Sequence, residues 1–287
     1  MDNRQQSIIT DVFGTIEISG SPSSEEDLLV MIAQSADMEK VVGQRKGNTA
    51  SYSEKVALLN ILEEAVERDR FKGHFSLFPE EGMYSYDKYP KHMEFFAAGA
   101  DHRERIFMAA NRVGKSLSGG YEMTCHLTGL YPTWWKGKRF FNQTDCWAAG
   151  DTSQTTRDIV QSVLMGDIGS FGTGLLPGSL IEDVRMRPGV PGGVDSLRVK
   201  HTSGGYSKLG FKSFDQKRRS FQGTAKHAIW LDEEAPHEVY GESLIRTMTT
   251  DGIVYVTFTP LQGMTPFVTE FQKSVMVQEL HRGEGST

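Results

Sequence analysis

Cysteine is scarce in this chain. Two thiols, Cys125 and Cys146, stand among 287 residues, too few for a four-thiolate zinc site or a disulfide framework. They read as two reduced, buried thiols. Long apolar runs are also missing. None approaches the ~18–20 residues that span a bilayer, and the opening MDNRQQS carries an acid and no apolar h-region. Neither a secretory signal nor a transmembrane segment is predicted. Internal repeats and low-complexity tracts are lacking too. What remains, 38% hydrophobic and 24% charged residues, is ordinary for a globular protein of one large domain or two small ones.

The net charge of −6 is unevenly spread. Residues 1–70 hold thirteen acids and seven bases, so the remainder is neutral overall. Within it, residues 197–226 carry eight basic side chains (Arg198, Lys200, Lys208, Lys212, Lys217, Arg218, Arg219 and Lys226) against one acid, Asp215. That local +7 is either a polyanion-facing surface or a solvated hairpin edge.

Two helices are expected at the start, where Ser23 precedes Glu26 and Ser51 precedes Glu54 at capping-box spacing, each followed by an apolar face. The first twenty residues read as an arm, and 43–48 as a loop. A helix over about 91–98 should stop at Gly99. Further on, the apolar periodicity shortens. Short, fully apolar runs at 106–109, 146–149, 228–231 and 253–256 suit buried parallel strands. Helices are expected over about 115–130 and 153–165. Residues 166–196, rich in Gly and Pro, read as a long loop or insertion, and 197–201 with 207–213 as a hairpin. Strands alternating with helices predict a three-layer α/β sheet.

Chemistry is carried by three stretches. The first, AANRVGKS (Ala109, Ala110, Asn111, Arg112, Val113, Gly114, Lys115, Ser116), follows the first apolar strand. It matches the phosphate-loop pattern G-x-x-x-x-G-K-[ST] except that Ala109 replaces the first glycine. Backbone N–H groups and a helix N-terminus there form an anion site. Gly114 allows close approach, Lys115 reaches the β- and γ-phosphates, and Ser116 supplies a hydroxyl for Mg²⁺. The second stretch is a strand that ends in Asp232 and Glu233. Asp232 suits Mg²⁺ and Glu233 suits a general base acting on water. The third, Thr257, Phe258, Thr259 and Pro260, puts hydroxyls at a strand tip near the expected γ-phosphate.

These residues resemble the large terminase subunit of tailed bacteriophages, the ATPase that drives viral DNA into a preformed capsid. The resemblance rests on 109–116, on SFDQKRRSFQGTAKHAIWLDEEAP at 213–236 and on TFTP at 257–260, and covers about residues 85–270. It implies an additional-strand P-loop NTPase core at 71–287, a central, mostly parallel sheet flanked by helices, with the 145–150 and 197–213 strands beside those of the two Walker motifs. It also implies an N-terminal helical region at 1–70. Lys115 and Ser116 would be the Walker A pair, Asp232 and Glu233 the Walker B pair, and Thr257, Phe258 and Thr259 the coupling motif. Arg112 would act as a catalytic arginine or orient the loop. Arg218 and Arg219 would be a trans finger or DNA contacts, and Tyr89 and His92 adenine contacts. The implied ligands are ATP and Mg²⁺. The implied partners are double-stranded DNA without sequence preference, a small terminase subunit, a portal or procapsid, and further copies in a ring. The host cell cytoplasm is the implied location. A second, nuclease domain is not expected within these residues, so no DNA cleavage is expected of them. Two other readings remain open on sequence: a helicase-like or remodelling ATPase, and a non-hydrolysing assembly factor with a degenerate loop.

Overall fold

The computed structural model describes residues 72–261, 263, 265–273 and 278–280. The expected N-terminal helices, arm and loop therefore lie outside the described residues. Within them the sheet has eight strands: β1 (Glu104–Ala109), β2 (Asp145–Gly150), β3 (Ile181–Met186), β4 (Val194–Lys200), β5 (Tyr206–Ser213), β6 (Ala228–Asp232), β7 (Ile253–Phe258) and β8 (Gln278–Leu280). Their order across the sheet is β3-β4-β5-β2-β6-β7-β1-β8. From β5 to β8 every pair is parallel, and β4 is antiparallel to both of its neighbours.

The runs 106–109, 146–149, 228–231 and 253–256 at the centre of the parallel strands are buried, and their apolar composition suits strands covered by helices on both faces. On one face lie α1 (Pro90–Ala98), α2 (Lys115–Thr128) and a third helix, α3. That helix is α-helical over Ser153–Thr155, π-helical over Thr156–Gln161 and α-helical again over Ser162–Met165. Their core includes Phe95, Phe107, Met123, Leu164, Trp230 and Tyr255. On the other face, α4 (His237–Thr247) and α5 (Pro266–Lys273) contribute Val239, Phe267 and Phe271 to a second core with Ile106, Leu231 and Val256.

Two expectations need correction, the second in part. The 166–196 stretch is not all loop: β3 lies inside it and β4 begins at Val194. β3 is half exposed at the sheet edge, and register shifts around Glu182 and Arg185 break its alternation, so it leaves no period-2 signal. The 145–150 strand, β2, does stand beside a motif-bearing strand, β6, but the 197–213 strands do not, and the strand between β1 and β6 is β7. β2 borders β6 alone of the two, and the β4–β5 hairpin lies one strand further out. Strand order is fixed by which apolar faces pack together, and no local pattern encodes it. The basic stretch 197–226, which the sequence leaves open between two readings, has four of its eight cations paired with acids of its own fold. Arg198 pairs with Asp183 at 3.3 Å, Lys200 with Glu182 at 3.0 Å, Arg218 with Glu242 at 2.9 Å and Lys226 with Asp145 at 2.6 Å.

Both cysteines are free and buried, as expected. No helix among the described residues is long and apolar enough to cross a membrane.

Candidate functional site

A parallel sheet presents the carboxyl ends of its strands, with the loops that follow them, along one edge, and α/β folds place ligands there. Along this edge β1 leads into the 109–116 loop, β6 ends at Asp232, and β7 between them ends at Phe258. Ala109 is the last residue of β1 and pairs with Leu280. The missing glycine is therefore tolerated because an ordinary strand conformation is all that position requires. Positive φ occurs later in the loop, at Arg112 (64°) and at Gly114 (84°), which is the N-cap of α2.

Lys115, the first residue of α2, is buried, and its Nζ donates to the carbonyl of Ala110 at 2.7 Å. Burial lowers its pKa, while the charges of Glu233 and Asp232 act to raise it. A desolvated ammonium resting on a loop carbonyl is ready to exchange that carbonyl for a phosphate oxygen. In the next residue, Ser116 Oγ donates to Asp232 at 2.9 Å to Oδ1 and 3.1 Å to Oδ2. The two proposed Mg²⁺ residues, 116 positions apart in sequence, thus meet directly.

Asp232 also accepts from Thr257 Oγ1 at 2.6 Å, and Thr257 in turn accepts from the indole N–H of Trp230 at 2.7 Å. Burial pushes the Asp232 carboxyl up, against the opposing effects of Thr257, Ser116 and Lys115. These oxygen donors fit Mg²⁺, which usually takes one or two carboxylates and completes its shell with waters and phosphate oxygens.

Glu233 follows Asp232 and is exposed. Its φ is 100°, a conformation that L side chains rarely adopt. The turn is held by its own N–H, which donates to the Thr257 carbonyl at 2.8 Å. The carboxyl is pushed up first by the protein atoms crowding it and then by the Asp232 charge, while Lys115 pulls it down. A carboxylate raised toward neutrality is a better base than an ordinary one.

The remaining candidates divide. Thr259 Oγ1 donates to Asn111 Oδ1 at 2.8 Å, so the 257–259 segment touches the 109–116 loop directly. Thr257 does not face the loop: its hydroxyl is committed to Asp232. Phe258 is fully buried in the second core and anchors the segment. Arg112 is exposed and makes no hydrogen bond or ion pair among the described residues. Arg219 is likewise exposed and unpaired, on the turn Lys217–Ser220, whereas Arg218 is held by Glu242 of α4. His92 is buried with its Nε2 3.0 Å from the Val113 carbonyl. It therefore braces the underside of the loop. Tyr89 packs edge-on against Phe78 and His92.

Sequence reasoning passed over Trp230. Its signal was an indole in an otherwise aliphatic strand, two residues before the acid. It also passed over the support for α2. Arg105 of β1 makes a bidentate pair with the fully buried Glu122 of α2, at 2.5 and 3.2 Å, and His126 approaches the same carboxylate at 3.2 Å. Glu122 is held ionised against burial by Arg105 and His126.

Comparison with known proteins bears on the family of the chain. The family "Terminase large subunit, T4likevirus-type, N-terminal" matches residues 106–280. The terminase large subunit of Salmonella phage P22 is 37% identical over 244 residues, which are 78% of this chain and 47% of that protein. The chain thus spans about half the length of the curated relative it matches. Among solved structures, the large terminase of a thermophilic bacteriophage is 15% identical with a TM-score of 0.48, over 67% of this chain and 44% of that one. A variant of the Thermus phage P74-26 large terminase ATPase domain is 17% identical with a TM-score of 0.42, over 63% and 72%. The family match spans more than half of the sequence and takes in the loop, the acid-tipped strand and the coupling segment: this chain belongs to the terminase large-subunit family, in its T4-like N-terminal type.

Proposed function

We propose that this chain is the ATP-hydrolysing motor domain of a viral DNA-packaging machine. The observation that carries the reading is the meeting of Ser116 with Asp232 at 2.9 Å, with Lys115 on one side and Glu233 on the other. Lys115 would exchange the Ala110 carbonyl for the β- and γ-phosphates, and the N–H groups of the 109–116 loop would cradle them. Ser116 and Asp232 would hold Mg²⁺, which when bound would neutralise charge developing on the phosphate oxygens. Glu233 would take the proton of the attacking water. Arg112, unpaired at the loop's apex, would stabilise the transferred phosphoryl from within the subunit. Arg219, exposed and free, would do so from a neighbouring one. Thr259 would sense the γ-phosphate through Asn111. Ala109's ordinary strand role supports an active loop over a degenerate one.

Duplex DNA would be gripped through its phosphates, which suits a task without sequence preference. A small terminase subunit, a portal and a ring of copies would complete the machine.

The test is Mg²⁺-dependent ATP hydrolysis by the purified chain beside Lys115→Ala and Glu233→Gln, with and without duplex DNA. Both variants should lose at least about 100-fold in turnover, the scale of losing a main electrostatic or proton-transfer contribution. Glu233→Gln should still bind nucleotide. Wild-type turnover no faster than that of Glu233→Gln would sink the assignment.

A further inference from the structure

The site holds one part that its three motifs do not name. Trp230 sits in the middle of β6 and is fully buried. Its indole N–H donates to Thr257 Oγ1 at 2.7 Å, and Thr257 Oγ1 donates to Asp232 Oδ1 at 2.6 Å. A threonine hydroxyl has one proton and two lone pairs. With the indole N–H on a lone pair, the hydroxyl proton is left to point at the carboxylate. The indole is itself fixed in place. A Cβ on Gly119 of α2 would lie 2.4 Å from Trp230 Nε1, so the helix that follows the 109–116 loop packs closely against this ring. Tyr255, on the neighbouring strand, donates to the Gly119 carbonyl at 3.0 Å.

We infer that Trp230 is a positioning residue for the divalent-cation site: acting through Thr257, it fixes the direction in which Asp232 presents its carboxylate to Ser116. The inference rests on the nucleotide-site reading above and adds a division of labour to it. Thr257 is a fixed link in a buried chain, and Thr259, bonded to Asn111 nearer the surface, is the residue free to respond to nucleotide. The indole N–H carries the effect, because a ring without it fills much of the same space but leaves the hydroxyl free to rotate.

The experiment is calorimetric binding of ADP with Mg²⁺ and with excess chelator, so that the metal-dependent gain in affinity is read apart from nucleotide affinity. Trp230→Phe should reduce that gain about three- to tenfold, the range of one hydrogen bond in a buried network, and should leave metal-free ADP affinity unchanged. Thr257→Val should do the same and Thr257→Ser should retain the gain. The double variant Trp230→Phe/Thr257→Val should lose no more than either alone. An additive double variant, an unaltered gain in Trp230→Phe, or an equal fall in metal-free affinity would overturn the inference. Should Trp230→Phe fold poorly, Thr257→Val against Thr257→Ser decides the Thr257 link. The indole N–H resonance of Trp230, one of four in the chain, then decides the Trp230 link: it must shift in Thr257→Val. A wild type that bound no ADP under either condition would overturn the nucleotide reading itself, an outcome distinct from the others.

Discussion

Two carboxylates, adjacent in sequence, occupy opposite situations. Asp232 is buried and Glu233 is exposed, yet both are pushed above the ordinary carboxylate range. For Glu233 this has a kinetic sign. A base must be ionised, so ATP turnover should rise with pH along a limb displaced above ~4.3, the ordinary glutamate value. Glu233→Gln should remove the limb together with the activity. For Asp232 the sign concerns stability. A carboxyl whose folded-state pKa is raised takes up a proton on folding, so its contribution to stability falls as pH rises through the window between the unfolded and folded values. At neutral pH and without Mg²⁺ the buried carboxylate therefore opposes folding. Asp232→Asn, whose amide can still bond Ser116 and Thr257, should raise Tm by a few degrees at pH 7 and by nothing below the unfolded-state pKa. Thermal scans across pH read this directly, and an Asp232→Asn curve that never rises above wild type would refute it.

Among the helices, α2 is the one on which the site depends, and it is attached at two levels. Near its start, adjacent Gly119 and Gly120 let it approach Trp230 and Val163, where added Cβ atoms would lie at 2.4 and 2.5 Å. Further along, Glu122 ties it to β1 through Arg105. Gly119→Ala should destabilise by about 1–3 kcal/mol through overpacking, even though alanine gains about 1 kcal/mol of helix propensity. Arg105→Met should cost about 3–5 kcal/mol, because it leaves Glu122 a buried, partly compensated charge. Chemical denaturation measures both. At this scale the sequence was most and least legible. The apolar runs at β1, β2, β6 and β7 could be read because burial on two faces leaves a local pattern, and the helix start at Lys115 because the loop motif precedes it; the start at Ser153 carries a capping box of Thr152 and Thr155. α4 and β3 could not be, since α4 is amphipathic without a strong N-cap and β3 is an irregular edge. The partnership of Ser116 with Asp232 was readable from motif types. Trp230, His92 and Arg105, which support those motifs, were not, because their roles exist only in tertiary contacts, with Thr257 on the next strand, with Val113 of the loop and with Glu122 of α2.

At the scale of the whole molecule, the basic stretch around 197–226 is the clearest case of a local pattern rewritten by folding. Half of its cations answer acids of the same chain, while Arg219 stands on an exposed turn with no side-chain partner among the described residues. If that side chain completes a neighbour's site, specific ATP turnover should rise with protein concentration. In that case Arg219→Ala should flatten the rise while leaving nucleotide affinity within about twofold of wild type. Turnover strictly proportional to concentration, with Arg219→Ala unchanged, would leave catalysis to the single subunit. The two cysteines supply the means to follow such an assembly. Both are fully buried, and burial drives Cys146 up to about 12 and Cys125 well above the ordinary thiol value, so neither offers a thiolate to a maleimide at neutral pH. A cysteine placed at an exposed position such as Phe141 or Leu261 would then take a fluorophore alone, in an otherwise unaltered background. Distances between copies of the chain can then be read with one dye per chain.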